Sequence, residues 1–410
     1  PESFWSFGGL KFAIVGGGAA GLMAASVASE KHRVVLFERQ SRVGKKISAS
    51  GNGKCNLSNS SLAAERLAEA EARDVYNRRE AYGIVSRFDY TALMKYCCEV
   101  LGLETYADAQ GRVYPRTENS GSVIDAFRLR CQKNNVKTVT DAPVVKIEKS
   151  SKDFRVWLGD GQYYHFDRVI FCVGSNIQTR NFTSFDLLNG FDIAITPTQT
   201  SLVPVKTKKV WLPLNGTRVK CGVSLLKNGK KRAEERGEVL FRDYGLSGIA
   251  VFNLSAYIAR SIVMGEKADF SLSMDLFPEL SEEELVSKLT ARLDVMGVDS
   301  KTFFVGLLCN KLAEAIIRKK KLPPALAKSD ISGLAAYMKN IEFQVSELCD
   351  AEKGQVMCGG IDMSEINENM QSKKVPGLYF AGECLDADGL CGGFNLHFAF
   401  ACGYIAGSAV

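Results

Sequence analysis

The stretch Leu10–Arg39, LKFAIVGGGAAGLMAASVASEKHRVVLFER, decides the fold. Lys11 to Val15 reads as a short apolar strand, Ala19 to Ser29 as a run of small helix-compatible residues, and Arg33 to Phe37 as a second strand ending at Glu38. Gly16, Gly18 and Gly21 lie between the first strand and the helix, spaced G-x-G-x-x-G. Strand, glycine turn, helix, strand and terminal acid in this order form the dinucleotide-binding fingerprint, and each part has a reason. Gly16 permits the tight turn, Gly18 lets the backbone approach a pyrophosphate, and Gly21 lets helix pack against strand. The helix start at Ala19 and Ala20 offers free N–H groups and the positive end of a dipole to phosphates. Glu38, 22 residues after Gly16, suits the ribose hydroxyls, with Arg39 beside it. An acid there disfavours a 2′-phosphate. The pattern alone does not separate FAD from NAD.

A second nucleotide-facing element closes the chain, VPGLYFAGECLDADGLCGGFNLHFAFACGYIAGSAV. Gly377 to Ala381 reads as a strand, with Gly382, Glu383 and Asp386 following it. After the turn at Gly392 and Gly393, Phe394, Asn395 and Leu396 lead into a helix read over Asn395 to Ser408. A helix N-terminus suits anions and polarised carbonyls, such as the pyrimidine side of an isoalloxazine.

The 410 residues suggest two or three domains, and 46% hydrophobic with 24% charged residues is ordinary for a globular protein. A net charge of +6 permits an anionic ligand but does not demand nucleic acid. The densest basic run, Arg318 to Lys321, reads as a solvated helix end. No segment approaches the ~18 apolar residues of a membrane span. The first residues lack the order of a signal peptide and begin without Met, so numbering is not expected to start at the translation start. Twelve cysteines with no C-x-x-C pair read as reduced thiols of a cytoplasmic protein.

With those residues in view, GKKISASGNGKCNLSN, GRVYPRTENSGSVIDAF, GEVLFRDYGLSGIAVFNLS and QSKKVPGLYFAGE resemble the BaiN/YhiN family of FAD-dependent oxidoreductases. These are the aminoacetone-oxidase-like and bile-acid-reductase-like flavoproteins of the two-dinucleotide-binding-domain superfamily, and the resemblance spans about Lys11 to Gly407. It implies an α/β fold: a glutathione-reductase-type, Rossmann-like FAD domain interrupted by an insert with a β-rich, barrel-like part and a helical part. The residue patterns agree. The FAD domain is expected over 10–194 and 355–410, the β-rich insert over 195–278 with a return strand in 340–354, and the helical insert over 279–339. Ser281 with Glu284 reads as a capping box.

The resemblance also implies which residues face the cofactor. The loop SGNGKCN would approach the flavin, with Ser50, Gly51, Asn52, Gly53, Cys55 and Asn56 as its flavin-binding residues. Gly51 and Gly53 allow close backbone approach, the asparagines offer donors and acceptors, and Lys45, Lys46 and Lys54 can neutralise phosphate. Val144 and Val145 would flank the adenine, and Cys172, Val173 and Gly174 would close the nucleotide site. The chain departs from the family after Gly174, where Ser175 replaces a second glycine and a proline-containing loop is missing. Catalytic candidates are Cys55, Tyr244 and His397. A thiol beside a flavin would form an adduct or act as an acid, but the dithiol enzymes of the superfamily use paired cysteines, so packing is expected for Cys55. His397, in the first turn of the last helix, is within the region of the flavin pyrimidine. Tyr244 and Ser247 line a substrate cavity or hold a turn.

Only one fingerprint is present, so no second Rossmann domain for a nicotinamide is evident. The expectation is non-covalent FAD, reduced by transiently bound NAD(P)H, serving reduction of an activated C=C bond in a small-molecule substrate. An oxidase of a small amine or ketone is the alternative within enzymes. A flavin-holding RNA-binding or regulatory protein is the alternative of another class, though nucleic acid and membrane are not the expected partners. Oligomeric state is not read from the sequence.

Overall fold

The computed structural model describes residues 9–175 and 184–409. The chain divides into two compact units, one running to Thr198 and resuming at Val356, the other spanning Gln199–Gln355.

The first unit is built on a parallel sheet. Its strands are β1 (Lys11–Val15), β2 (Arg33–Phe37), β3 (Lys137–Val139), β4 (Arg168–Phe171) and β5 (Leu378–Phe380), in the spatial order β5-β4-β1-β2-β3. Every neighbouring pair is parallel, with Ile14 opposite both Leu36 and Ile170 and Phe171 opposite Phe380. Phe12, Ile14, Leu36, Ile170, Phe171 and Phe380 are fully buried. Continuous apolar strands are what a sheet covered on both faces requires, and each such side chain contributes about 1.5–3 kcal/mol by leaving water. Helix α1 (Ala19–Ala28) follows β1, and the short helix α2 (Lys45–Ala49) follows β2. An antiparallel meander of Val144–Lys149, Phe154–Leu158 and Tyr163–Phe166 leads into β4. Helix α3 (Phe394–Ser408) ends the chain.

α1 and α3 are packed through small residues. A Cβ on Gly403 would lie 2.3 Å from the Ala20 carbonyl, and one on Gly407 2.9 Å from that of Ala24. Ala20 to Ala24 is matched by Gly403 to Gly407, so the helices run parallel and their N-termini point the same way. Both point toward the carboxyl ends of the strands, where open α/β sheets bind ligands.

The second unit contains a closed antiparallel barrel. Its strands run in the order Val205–Thr207, Gly245–Ser247, Lys230–Arg242, Arg218–Lys227, Phe270–Asp275, Ile341–Leu348. The last pairs back onto the first, Val205 opposite Leu348. Helices Glu282–Met296, Asn310–Lys320 and Lys328–Lys339 form the helical part. Ser281 and Glu284 close the capping box, at 3.1 and 2.7 Å. The apolar run after Gly248 is a helix, Ile249–Val263, inside a region the sequence reads as β-rich. Nine of its fifteen residues are buried, so it is apolar nearly all round and has no clean period to set it apart from a buried strand.

Candidate functional site

The fingerprint glycines divide into two kinds. A Cβ on Gly16 would sit 2.4 Å from the Cys172 carbonyl oxygen, and one on Gly21 1.9 Å from that of Gly16. Both positions are closed by packing. A Cβ on Gly18 would meet nothing within 4 Å. Gly18 is the N-cap of α1, and no side chain caps that helix. The start of α1 therefore has open space beside Gly18 and no side-chain partner at the cap. Glu38 is fixed beside them: Oε2 accepts from the Gly17 N–H at 2.8 Å and Oε1 from the Gln40 N–H at 2.9 Å. Arg39 follows, its pKa lowered by burial against the opposing pull of Glu38. The Ala142 N–H donates to the Glu38 carbonyl at 3.0 Å, which brings Val144 and Val145 to this end of the sheet. Val144 is buried, whereas Val145 is 54% exposed at a register shift in the meander. Cys172 is a buried thiol pushed well up by burial, its N–H bound to the Val15 carbonyl at 2.8 Å.

The glycine- and asparagine-rich loop is a compact turn, with Gly51, Asn52 and Cys55 at φ of 56°, 55° and 59°. It is pinned to the start of α3. Asn59 Nδ2 donates to the Gly392 carbonyl at 3.0 Å, and Ser58 Oγ lies 2.7 Å from His397 Nδ1. Asn56 Oδ1 accepts from the Val113 N–H at 3.2 Å. Gly393, the N-cap of α3, has φ 97°, and a Cβ there would fall 2.1 Å from the Ser58 carbonyl oxygen. Only glycine fits that contact, and α3 also starts without a side-chain cap. Asn395 closes the turn behind it, accepting from the Gly389 N–H at 2.8 Å and donating to the Gly389 carbonyl at 2.7 Å. The Phe394 carbonyl accepts from Tyr76 Oη at 2.9 Å, and Leu396 is half-buried.

Lys46 is tied down. Its Nζ donates to Glu383 Oε2 at 3.1 Å, Ser175 Oγ at 2.8 Å and the Ser175 carbonyl at 3.0 Å. The other Glu383 oxygen accepts from the Met357 N–H at 3.2 Å. This joins α2, the chain after β4 and the chain after β5 at one edge of the sheet. Gly174 lies beside the pair, and Gly382 packs against Ala20. Lys45 is exposed. Lys54, read as a phosphate partner, instead pairs with Glu118 at the surface. Most of the divergent loop after Gly174, residues 176–183, lies outside the described residues.

His397 and Cys55 are both held inside the protein. His397 is fully buried, and Nε2 lies 2.9 Å from the Phe88 carbonyl. A carbonyl only accepts, so Nε2 carries the proton and Nδ1 accepts from Ser58. Both nitrogens are used within the protein, and burial lowers the imidazole pKa to about 4. Cys55 is fully buried, and burial raises its thiol to about 12, outweighing a hydrogen bond from Ser50. A thiol held protonated is neither nucleophile nor useful acid near neutral pH. Tyr244 and Ser247 belong to the second unit. Lys353 Nζ lies 3.9 Å from the centre of the Tyr244 ring, burial raises the phenol pKa, and Ser247 is buried in a barrel strand.

Sequence reasoning missed Asn77 and Arg78. Arg78 Nε donates to Asp386 Oδ2 at 3.1 Å and a second nitrogen of the same guanidinium also reaches that oxygen; Asn77 Nδ2 reaches Oδ1 at 3.3 Å. Asp386, expected to face the cofactor, is thus engaged by these two residues. The partners are separated by more than 300 positions in a segment without motif, so no local signal could reveal them. All twelve cysteines are free thiols. Among the described residues no cluster could hold a metal ion, and no helix is long and apolar enough to cross a membrane.

The family described as HI0933-like protein Rossmann domain matches residues 10–409. The chain belongs to this family. It is an FAD-dependent oxidoreductase with a Rossmann-type FAD domain and a barrel-bearing insert. A 3-dehydro-bile acid delta(4,6)-reductase of Clostridium scindens is 28% identical over 97% of this chain and 98% of its own. A ribosomal RNA dihydrouridine synthase of Haemophilus influenzae is 26% identical over 95% and 96%. The fold is similar to that of a 3-ketosteroid delta1-dehydrogenase from Sterolibacterium denitrificans, with TM-score 0.52, 12% identity and coverage of 98% and 99%. It is also similar to a 3-ketosteroid-delta4-(5alpha)-dehydrogenase from Rhodococcus jostii, with TM-score 0.51, 13% identity and coverage of 100% and 98%. The residues present fit FAD: two parallel helices start without side-chain caps, Gly18 leaves space where a side chain would intrude, and Glu38 is fixed at the end of β2.

Proposed function

We propose that this protein reduces a carbon–carbon double bond conjugated with a carbonyl, with non-covalently bound FAD and NAD(P)H as the electron source. The observation that carries this reading is the agreement of the two sequence relatives. Their names describe saturation of such a bond, in a 3-oxo steroid acid and in the uracil ring, and each matches at least 95% of this chain. FAD, when bound, supplies hydride transfer; the protein positions it and tunes its surroundings. The Gly16–Gly21 turn and the α1 N–H groups would hold the pyrophosphate, Glu38 the adenosine ribose, and the α3 N-terminus the polar edge of the ring. The buried thiol of Cys55 and neutral His397 supply no proton at neutral pH. Only one G-x-G-x-x-G is present, so the nicotinamide would bind transiently.

A second reading places the double bond in RNA. Its support is the two relatives named for ribosomal RNA and the charge of the second unit. Residues 199–355 hold 24 Lys and Arg against 19 Asp and Glu, so +5 of the net +6 lies there. Backbone phosphates reward such an excess.

The test is anaerobic. NADH or NADPH is added to the purified flavoprotein and the flavin absorbance followed, then an enone or a uridine-containing RNA is offered to the reduced protein. Bleaching by the nicotinamide and recolouring by an acceptor is the expected result, and the acceptor that works separates the two readings. Bleaching only by an amine or ketone, with recolouring in air, would replace the reductase by an oxidase.

A further inference from the structure

The position of the α3 N-terminus needs a cause. The helix has no side-chain cap and no charged residue along its length, so nothing of its own charge orients it. The loop before it, Asp386–Gly393, is gripped from one side by residues 75–78. The Asp388 N–H donates to Asn77 Oδ1 at 2.9 Å, and the Asn77 N–H donates to the Asp388 carbonyl at 3.0 Å. The Leu390 N–H donates to the Val75 carbonyl at 3.0 Å, and Tyr76 Oη reaches the Phe394 carbonyl in the first turn of α3. Arg78 and Asn77 hold the two oxygens of Asp386. The Asp386 side chain is 1% exposed and that of Arg78 41%, so a buried carboxylate depends on a guanidinium reaching in from the surface.

We propose that Asn77 and Arg78 are positioning residues for the flavin, acting through the Asp386–Gly393 loop on the N-terminus of α3. This rests on the FAD assignment. Asn77 sets where the loop lies, through paired backbone and amide bonds to Asp388. Arg78 cancels the charge of Asp386, so the positive end of the α3 dipole is not opposed by a bare carboxylate nearby. Removing one partner of a buried pair leaves the other charged and uncompensated. The loop would then be pushed from its place, and the field at the helix start would become more negative. A more negative field disfavours reduced, anionic flavin.

The experiment compares FAD affinity, flavin midpoint potential and melting temperature in the full chain and four variants. Arg78→Met should weaken FAD binding at least tenfold and lower the midpoint potential. Arg78→Lys keeps the charge without the fork and should fall between. Asp386→Asn added to Arg78→Met should recover most of the potential, because the bare charge is gone. A purely structural role would lower the melting temperature and leave the potential unmoved. Asn77→Ala should weaken FAD binding with little change in potential, and gives a reading even where Arg78→Met does not fold. FAD affinity within twofold of the parent in both Arg78→Met and Asn77→Ala would overturn the proposal, and so would a double variant with no recovery of potential. A parent chain that binds no FAD would overturn the cofactor assignment, and with it this inference.

Discussion

Gly18 and Gly21 are three residues apart and face opposite constraints. A side chain at Gly18 meets no protein atom within 4 Å, whereas one at Gly21 runs into the Gly16 carbonyl at 1.9 Å. Gly18→Val should therefore cost little stability, about 1 kcal/mol or less for the altered cap, yet yield colourless protein. Gly21→Val should destabilise the fold whether or not FAD is present. Denaturant melts of both apoproteins, with flavin absorbance after reconstitution, check this; a yellow Gly18→Val protein would sink the role of that turn. His397 makes a prediction in pH. Its folded pKa of about 4 is below its ordinary 6.5, so folding favours the neutral ring. The contribution is fully present above pH 6.5 and is lost as pH falls from there toward 4. Linkage puts the loss between pH 7 and pH 5 at about 2 kcal/mol. His397→Gln should lose that much less than the parent over the same interval, and equal losses would refute the assignment.

At the scale of elements, the parallel pair α1 and α3 carries both uncapped N-termini. Its closeness depends on Gly403, where a Cβ would lie 2.3 Å from a backbone oxygen of α1 and 3.0 Å from the Met23 Cβ. Gly403→Ala forces the helices apart and should cost about 1–3 kcal/mol, the usual range for overpacking. Because the same shift moves both helix starts, FAD affinity should fall with stability; a stable variant with unchanged affinity would uncouple them. Whether such elements were legible in the sequence follows from how local their determinants are. The Leu10–Arg39 unit was legible because turn, helix and second strand lie within thirty residues. The last strand and helix were legible for the same reason, with the helix beginning at Phe394 instead of Asn395. The helix Ile249–Val263 was not, because burial on nearly all sides erases its period. The clamp of Asn77 and Arg78 on Asp386, and the bond of Lys46 to Glu383, join residues more than 300 apart, and no local pattern encodes such pairs. His397 was found by position in its helix, but its role as a buried strut to Ser58 and Phe88 appears only when three distant segments meet.

The whole molecule has two separate cores, and each has its own closure. The parallel sheet is covered on both faces, and the barrel closes when Ile341–Leu348 returns to Val205–Thr207. The return strand expected within 340–354 was legible in the sequence, but not which strand it would join. The fingerprint glycines, Glu38 and the starts of α1 and α3 all belong to the unit that ends at Thr198 and resumes at Val356. A ligand that binds only a folded unit stabilises that unit by mass action, about 2.7 kcal/mol at a hundred times its dissociation constant. Calorimetry of the apoprotein should therefore resolve two transitions, and FAD should move only one of them upward. Arg78→Met should reduce that movement, while a substitution within the barrel, such as Leu272→Ala at a fully buried strand position, should lower the other transition alone by about 2–5 kcal/mol. If FAD raised both transitions together, the barrel unit would share in holding the cofactor, and the separation of roles argued from the two cores would fail.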